Sequence, residues 1–174
     1  MIVVDTSVWI EWFRGTEHRV AARLQALLTV RAELAVTEAV IMEVLAGAPS
    51  GLALERARSR LTASTVLPLN GRDDFEEAAR IYRACRDAGH TIRSQLDLLV
   101  AVPTIRYGAS LLHNDRDFEV IARHSALRIE PPTSSSGNGW HQIRERAGKY
   151  ALRPARPRSR ASRNPRSKRL ASKA

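Results

Sequence analysis

Ile2-Val3-Val4-Asp5-Thr6-Ser7, followed by Val8-Trp9-Ile10-Glu11-Trp12-Phe13, decides how this chain is read. Three apolar residues end in a carboxylate, two hydroxyl residues follow, and an apolar run with helical spacing comes next. The pattern predicts a buried strand, a turn and a helix start. In open α/β sheets, ligands bind outside the carboxyl ends of the strands. Asp5 is placed at such an end, where it can cap the helix or serve a ligand.

Outward from this stretch, helical and strand patterns alternate. Residues 17–29 carry Val20, Leu24, Leu27 and Leu28 at helical spacing, and 34–36 form a short strand. Thr37 reads as the N-cap of a helix whose apolar face is Val40, Ile41, Val44 and Leu45. A further helix runs from Leu52 to Leu61. Residues 66–69 are an extended edge, since Pro68 cannot donate to a ladder. Residues 73–88 and 96–105 read as helices, 110–113 as a strand, Phe118–Ala122 as a helix and 127–129 as a final strand. Such alternation is the signature of an α/β domain with a mainly parallel sheet.

The chain has 174 residues, enough for one domain with a real core. Its net charge of +10 is unevenly distributed. Residues 1–133 hold 16 Arg, no Lys and 17 Asp+Glu, a balance of −1; residues 134–174 hold 12 Lys+Arg and one Glu, a balance of +11. No lysine is therefore available in the body as a base or phosphate clamp. Cys85 is the single cysteine, so no intramolecular disulfide can form. That, with the lack of a signal-peptide pattern, favours the cytoplasm. The apolar run around Leu96–Val102 is far too short for a membrane span.

Four acidic positions sit in or against apolar stretches: Asp5, Glu43 in Val40–Leu45, Asp97 in Leu96–Val100, and Asp115, with Asp117 close behind. Ionised carboxylates near a core are costly unless paired or bound to a metal. A set of hard oxygen ligands suits Mg²⁺ or Mn²⁺, and the lack of a Cys/His cluster argues against zinc. Each acid also has a plain structural explanation. Asp5 and Asp115 are good helix caps, Glu43 can point outward from an amphipathic helix, and Asp97, three residues after Ser94, can complete a variant capping box. Asp117 suits a first helical turn.

Asp5-Thr6-Ser7, Glu43 ahead of a small-residue break, Asp97-Leu98-Leu99-Val100-Ala101 and His113-Asn114-Asp115-Arg116-Asp117-Phe118 together resemble the PIN-domain ribonucleases, and specifically the VapC toxins of bacterial toxin–antitoxin pairs. The likeness covers residues 1–132. It implies a three-layer α/β/α sandwich around a short-stranded, mainly parallel sheet. It also implies metal-dependent endonucleolytic cleavage of RNA. By motif position the catalytic acids fall on Asp5, Glu43, Asp97 and Asp115, with Asp5, Asp97 and Asp115 as ligands of Mg²⁺ or Mn²⁺. Asp117 matches an accessory acidic position, and Thr6 or Ser7 the supporting hydroxyl. A VapB-like antitoxin and a homodimer are the implied partners, with Trp9, Trp12 and Phe13 available either to a partner surface or to the core. Arg93 and Arg116 flank the acids and can meet RNA phosphates or pair with neighbouring carboxylates. Pro103 departs from the family pattern and is expected to kink or shorten the helix that carries Asp97.

From Pro131 the composition becomes that of a Ser/Gly/Pro linker and then a basic tail, so the domain is expected to end at 132 and residues 133–174 to be linker and disordered tail. The tail can tether RNA or be an extension without a role. If the tail alone acts, the protein is a non-catalytic RNA binder. A phosphoacceptor domain also clusters acids at strand ends, but such domains usually need a nearby lysine, which residues 1–133 lack.

Overall fold

The structure is a computed structural model that describes residues 1–132; the expected linker and tail lie outside the described residues. Its elements run β1 (Ile2–Val4), α1 (Thr6–Arg14), α2 (Arg19–Thr29), β2 (Leu34–Thr37), α3 (Glu38–Gly47), α4 (Leu52–Thr62), β3 (Thr65–Leu67), α5 (Gly71–Asp87), α6 (Gln95–Arg106), β4 (Ser110–Leu112), α7 (Arg116–Arg123) and β5 (Arg128–Ile129). All four strand pairings are parallel, in the order β3-β2-β1-β4-β5.

That order explains why the first stretch matters. β1 is central, with Ile2 and Val3 facing Leu34 and Ala35 on one side and Val3 and Val4 facing Leu111 and Leu112 on the other. The chain grows outward from β1 through β2 to β3, then crosses back to β4 and β5. β1 and β4 therefore flank the point where the strand order reverses, and the crevice beyond their carboxyl ends is where α/β sheets bind ligands.

Helices α1 to α4 pack among themselves, as do α5 to α7, giving the two outer layers of an α/β/α sandwich. The layers meet where α3 touches α6, the helices that carry Glu43 and Asp97. Trp9, Trp12 and Phe13 are all buried and pack ring against ring, with centroids 5.2 to 6.0 Å apart. The aromatics are therefore core, not partner surface: their helical spacing points them inward behind the buried β1.

Pro103 does not break α6, which runs on to Arg106. The proline falls in the last turn, so few later bonds depend on the one it removes. Tyr107 N donates to Pro103 O at 3.0 Å, and Thr104 Oγ1 donates to Val100 O at 2.7 Å, so the end of the helix is closed from both sides of the ring. Asp97 stands in the first turn, out of reach of any distortion.

Candidate active site

Asp5 sits immediately after β1, and its N–H extends the ladder by donating to Leu112 O at 3.0 Å. It is the N-cap of α1, with Oδ2 accepting from Ser7 N at 2.9 Å and from Ser7 Oγ at 2.5 Å. Ser7 Oγ also accepts from Asn114 N at 3.0 Å. One serine thus ties the end of β1 to the turn after β4, across the crevice where the strand order reverses. The cap holds the Asp5 carboxylate at the carboxyl end of β1, where it would also be available to a ligand. Burial pushes the Asp5 carboxyl up from its usual range, against the opposing hydrogen bonds from Ser7.

Glu43 projects from α3 and accepts from Thr6 Oγ1 at 2.7 Å through Oε2. It is half-buried rather than pointing into water. Both hydroxyl residues of Asp5-Thr6-Ser7 therefore orient an acid, Thr6 holding Glu43 and Ser7 holding Asp5.

Asp97 behaves differently. Ser94 is the N-cap of α6 but makes no side-chain cap bond, so the capping box expected with Asp97 does not form. Asp97 Oδ2 is fully buried and has no hydrogen-bond partner among the described residues. Burial first, then the charges of Asp5, Asp115, Asp117 and Glu43, raise the Asp97 carboxyl to about 7. A buried polar atom without a partner costs roughly 1–3 kcal/mol, more when charged. The five acids share one electrostatic neighbourhood, and Asp97 takes the full effect of it.

Asp115 caps α7 by accepting from Asp117 N at 3.0 Å. It also accepts from Arg93 Nη2. Asp117 is buried and holds Arg93 through the backbone N at 2.8 Å and through Nε at 3.1 Å. Of the alternatives for Arg93, the structure has the ion pair. The Arg116 side chain, by contrast, is exposed and has no hydrogen-bond or ion-pair partner among the described residues.

No three of these side chains stand at coordination distance among the described residues. Repulsion keeps like charges apart, and Arg93 draws Asp115 and Asp117 to its own side. The donor set nevertheless fits a hard divalent cation. It consists of carboxylate oxygens, one of them orphaned, and the other acids raise the proton affinity of Asp97. Residue for residue, Asp5, Glu43, Asp97, Asp115 and Asp117 come to one end of the sheet, with Asp115 and Asp117 joined through Arg93.

Sequence reading missed the division of labour between Thr6 and Ser7; the hydroxyl pair was visible, but Glu43 lies 37 positions from Thr6. The pairing of Arg93 with neighbouring acids was one of the two expected alternatives, though not that it spans 22 and 24 positions to two of them.

The PIN domain family matches residues 2–124. A VapC ribonuclease of Mycobacterium bovis is 42% identical over 132 residues, covering 74% of this chain and 96% of the relative. Ribonuclease VapC11 of Mycobacterium tuberculosis matches to the same extent. Among solved structures, FitAcB from Neisseria gonorrhoeae shares the fold with a TM-score of 0.58 at 20% identity, covering 76% of this chain and 98% of that one. VapBC2 from Rickettsia felis, solved bound to a DNA fragment from their promoter, gives 0.57 at 19% identity, over 75% and 98%.

Proposed function

The chain belongs to the PIN-domain family, among its VapC ribonucleases, and from that premise we propose that it is a divalent-metal-dependent endoribonuclease, the toxin of a toxin–antitoxin pair. The observation that carries the metal requirement is the buried, unpartnered Oδ2 of Asp97 facing the charges of Asp5, Asp115, Asp117 and Glu43.

Asp5, Asp97 and Asp115 are the residues to hold Mg²⁺ or Mn²⁺, with Glu43 completing the catalytic acids. When bound, such an ion supplies Lewis acidity toward a phosphate oxygen and makes water more acidic. The protein's part is placement. Ser7 fixes the Asp5 carboxylate and locks it to the β4 turn. Thr6 fixes Glu43. Arg93 sets the position of Asp115 and Asp117 and offsets part of their charge, so the crevice can admit a polyanion. The reaction is hydrolysis: a water oxygen bonds to phosphorus as the P–O3′ bond breaks, leaving a 5′-phosphate and a 3′-hydroxyl. No side-chain nucleophile is needed.

The relatives' names support RNA as the substrate, and the neighbouring complexes support a VapB-like antitoxin as the inhibitory partner; the homodimer rests on the family resemblance alone. No helix among the described residues is long and apolar enough to cross a membrane.

The test is cleavage of structured RNAs by the full chain with Mg²⁺ or Mn²⁺, with and without a chelator, beside Asp5→Asn. Cleavage that is chelator-sensitive and lost in the variant is expected; equal cleavage by both proteins overturns the reading. RNA binding without cleavage, lost on removal of residues 133–174, would place the function in the basic tail instead.

A finer prediction concerns Ser7. Groups that orient metal ligands are typically worth 10- to 100-fold in affinity or activity. Ser7→Ala is expected to raise the Mg²⁺ concentration for half-maximal cleavage by about tenfold. Its far-UV circular dichroism should stay unchanged, because the Ser7 N–H still caps onto Asp5. An unshifted Mg²⁺ titration would show that the hydroxyl does not orient the site.

A further inference from the structure

Next to the acidic crevice lies an open cavity of about 270 Å³, bounded by the start of α2, the turn between β4 and α7, and the end of β5. His18 and Arg19 form one rim and Asp115 and Arg116 the other, with Val20 and Ile129 on an apolar wall. Asp115 belongs to both spaces, so the cavity is continuous with the carboxylate cluster.

The charges on this wall are unequally matched. Asp115 is paired with Arg93. Glu130 accepts from Arg23 Nη2 at 2.6 Å and from Ser110 Oγ at 3.2 Å. Glu119 is largely in water and lies 3.5 Å from His113 Nε2. Arg19 and Arg116, in contrast, are exposed and meet no acid among the described residues. Each acid bordering the cavity has a basic or donor neighbour, while two guanidinium groups are left over. His18 spends Nδ1 on Val20 N at 3.4 Å, which leaves Nε2 as its outward group.

Unpaired arginines beside an apolar wall suit a nucleotide better than a peptide. Guanidinium forks match phosphate geometry and stack on bases, and an apolar wall accepts a ribose or base face. An acidic peptide would satisfy the same arginines. However, the cavity shares Asp115 with the carboxylate cluster, which repels an acidic side chain, whereas a nuclease centre has to accept a phosphate there. We propose that this cavity is a nucleotide subsite. It takes the nucleotide next to the scissile phosphate of a single-stranded RNA, with Arg19 and Arg116 on its phosphates and the Val20–Ile129 wall against ribose or base. The inference rests on the ribonuclease reading for the direction of the strand through the crevice.

The experiment uses the full chain and a fluorescein-labelled single-stranded RNA of about a dozen nucleotides, with 4-thiouridine placed along it for photo-crosslinking. Crosslinks mapped by mass spectrometry should fall on peptides containing His18–Val20 or His113–Arg116. Arg19→Gln and Arg116→Gln should each weaken binding by about three- to tenfold and lower the salt slope by roughly 0.7, the value for one single-strand phosphate contact. Arg72→Gln, on an exposed arginine paired with Glu76 on α5, is the control and should leave both unchanged. Crosslinks confined to residues 133–174, with wild-type affinity and slope in both variants, overturn the subsite. If the peptide of an antitoxin, but not RNA, loses affinity in these variants, the cavity is a protein contact and the inference also falls. Cleavage separates the two levels. A wild type that binds RNA through this cavity but does not cut it overturns the ribonuclease reading and keeps the subsite. A wild type that cuts, with Arg19→Gln equal in KM, does the reverse.

Discussion

Replacing Asp97 by Asn is expected to lower metal-dependent RNA cleavage by about a thousandfold while making the metal-free protein more stable. The two effects have one cause. Burial, and then Asp5, Asp115, Asp117 and Glu43, raise the Asp97 carboxyl to about 7 from an ordinary 3.8. A carboxyl raised in the folded state binds its proton more tightly there than in the unfolded chain, so folding is penalised wherever the group must ionise. The penalty is absent below the unfolded value near 3.8, grows as pH rises, and is complete above about 7. The group is only partly buried, so solvent screening limits the effect to about 1–2 kcal/mol, well under the full value of the shift. Asn is nearly the same shape and carries no charge. Without divalent ions, its Tm should exceed that of the wild type at about pH 8 and converge with it near pH 4. Added Mg²⁺ should raise the Tm of the wild type far more than that of the variant, because an ion that binds only the folded state stabilises it by mass action. Thermal melts at both pH values, with and without Mg²⁺, check all three statements. A variant less stable than wild type at the higher pH would mean that Asp97 is paired in the folded protein rather than stranded.

The same residue shows what the sequence could and could not convey. That Asp97 sits in an apolar helix start is visible by spacing alone, and so is the choice between cap and ligand. The capping box is excluded by Ser94, whose side chain makes no cap bond, and one Asp97 oxygen is left without a partner among the described residues. Neither can be read from residue order. The strands around Asp5 and Asp115 were legible because short apolar runs end in polar turns, and the parallel sheet followed from alternation. The strand order was not, since only pairing shows that β1 lies between β2 and β4. Pro103 does not shorten the helix, because its cost depends on its place there. Helix ends near 71, 87 and 106 differ from the spacing by one or two residues, as fraying termini do. Arg93 illustrates the remaining gap: a cation beside acids in sequence can pair with them or wait for phosphate, and the outcome turns on side-chain reach.

Arg106→Met is expected to be the most destabilising exchange of a polar side chain in the domain, at about 3–5 kcal/mol, with little loss of cleavage per folded molecule. Asp74 is buried in α5 and is held by Arg106 of α6, whose Nε and Nη2 donate to its two oxygens at 3.1 and 3.0 Å. Arg106 Nη2 also donates to Pro68 O, and Asn70 N donates to Asp74 Oδ2 at 2.7 Å. One ion pair thus joins the end of α6 to the start of α5 and to the strand exit before it. Methionine can replace the aliphatic stem of Arg106 but leaves a buried carboxylate with only the Asn70 N–H, and an uncompensated buried charge is costly. Removing both charges should recover most of the loss, because a buried pair repays little beyond its own desolvation. Arg106→Met with Asp74→Leu should therefore lie within about 1–2 kcal/mol of wild type. Urea unfolding of the two single variants and the double variant gives the coupling energy directly. The pair is far from Asp97 along α6, so it governs how firmly the helix is anchored rather than what its first turn binds. A single variant as stable as wild type would show that Asp74 finds water once Arg106 is gone. The anchoring of α6 would then rest on the buried Leu98, Val100, Ala101 and Val102 alone.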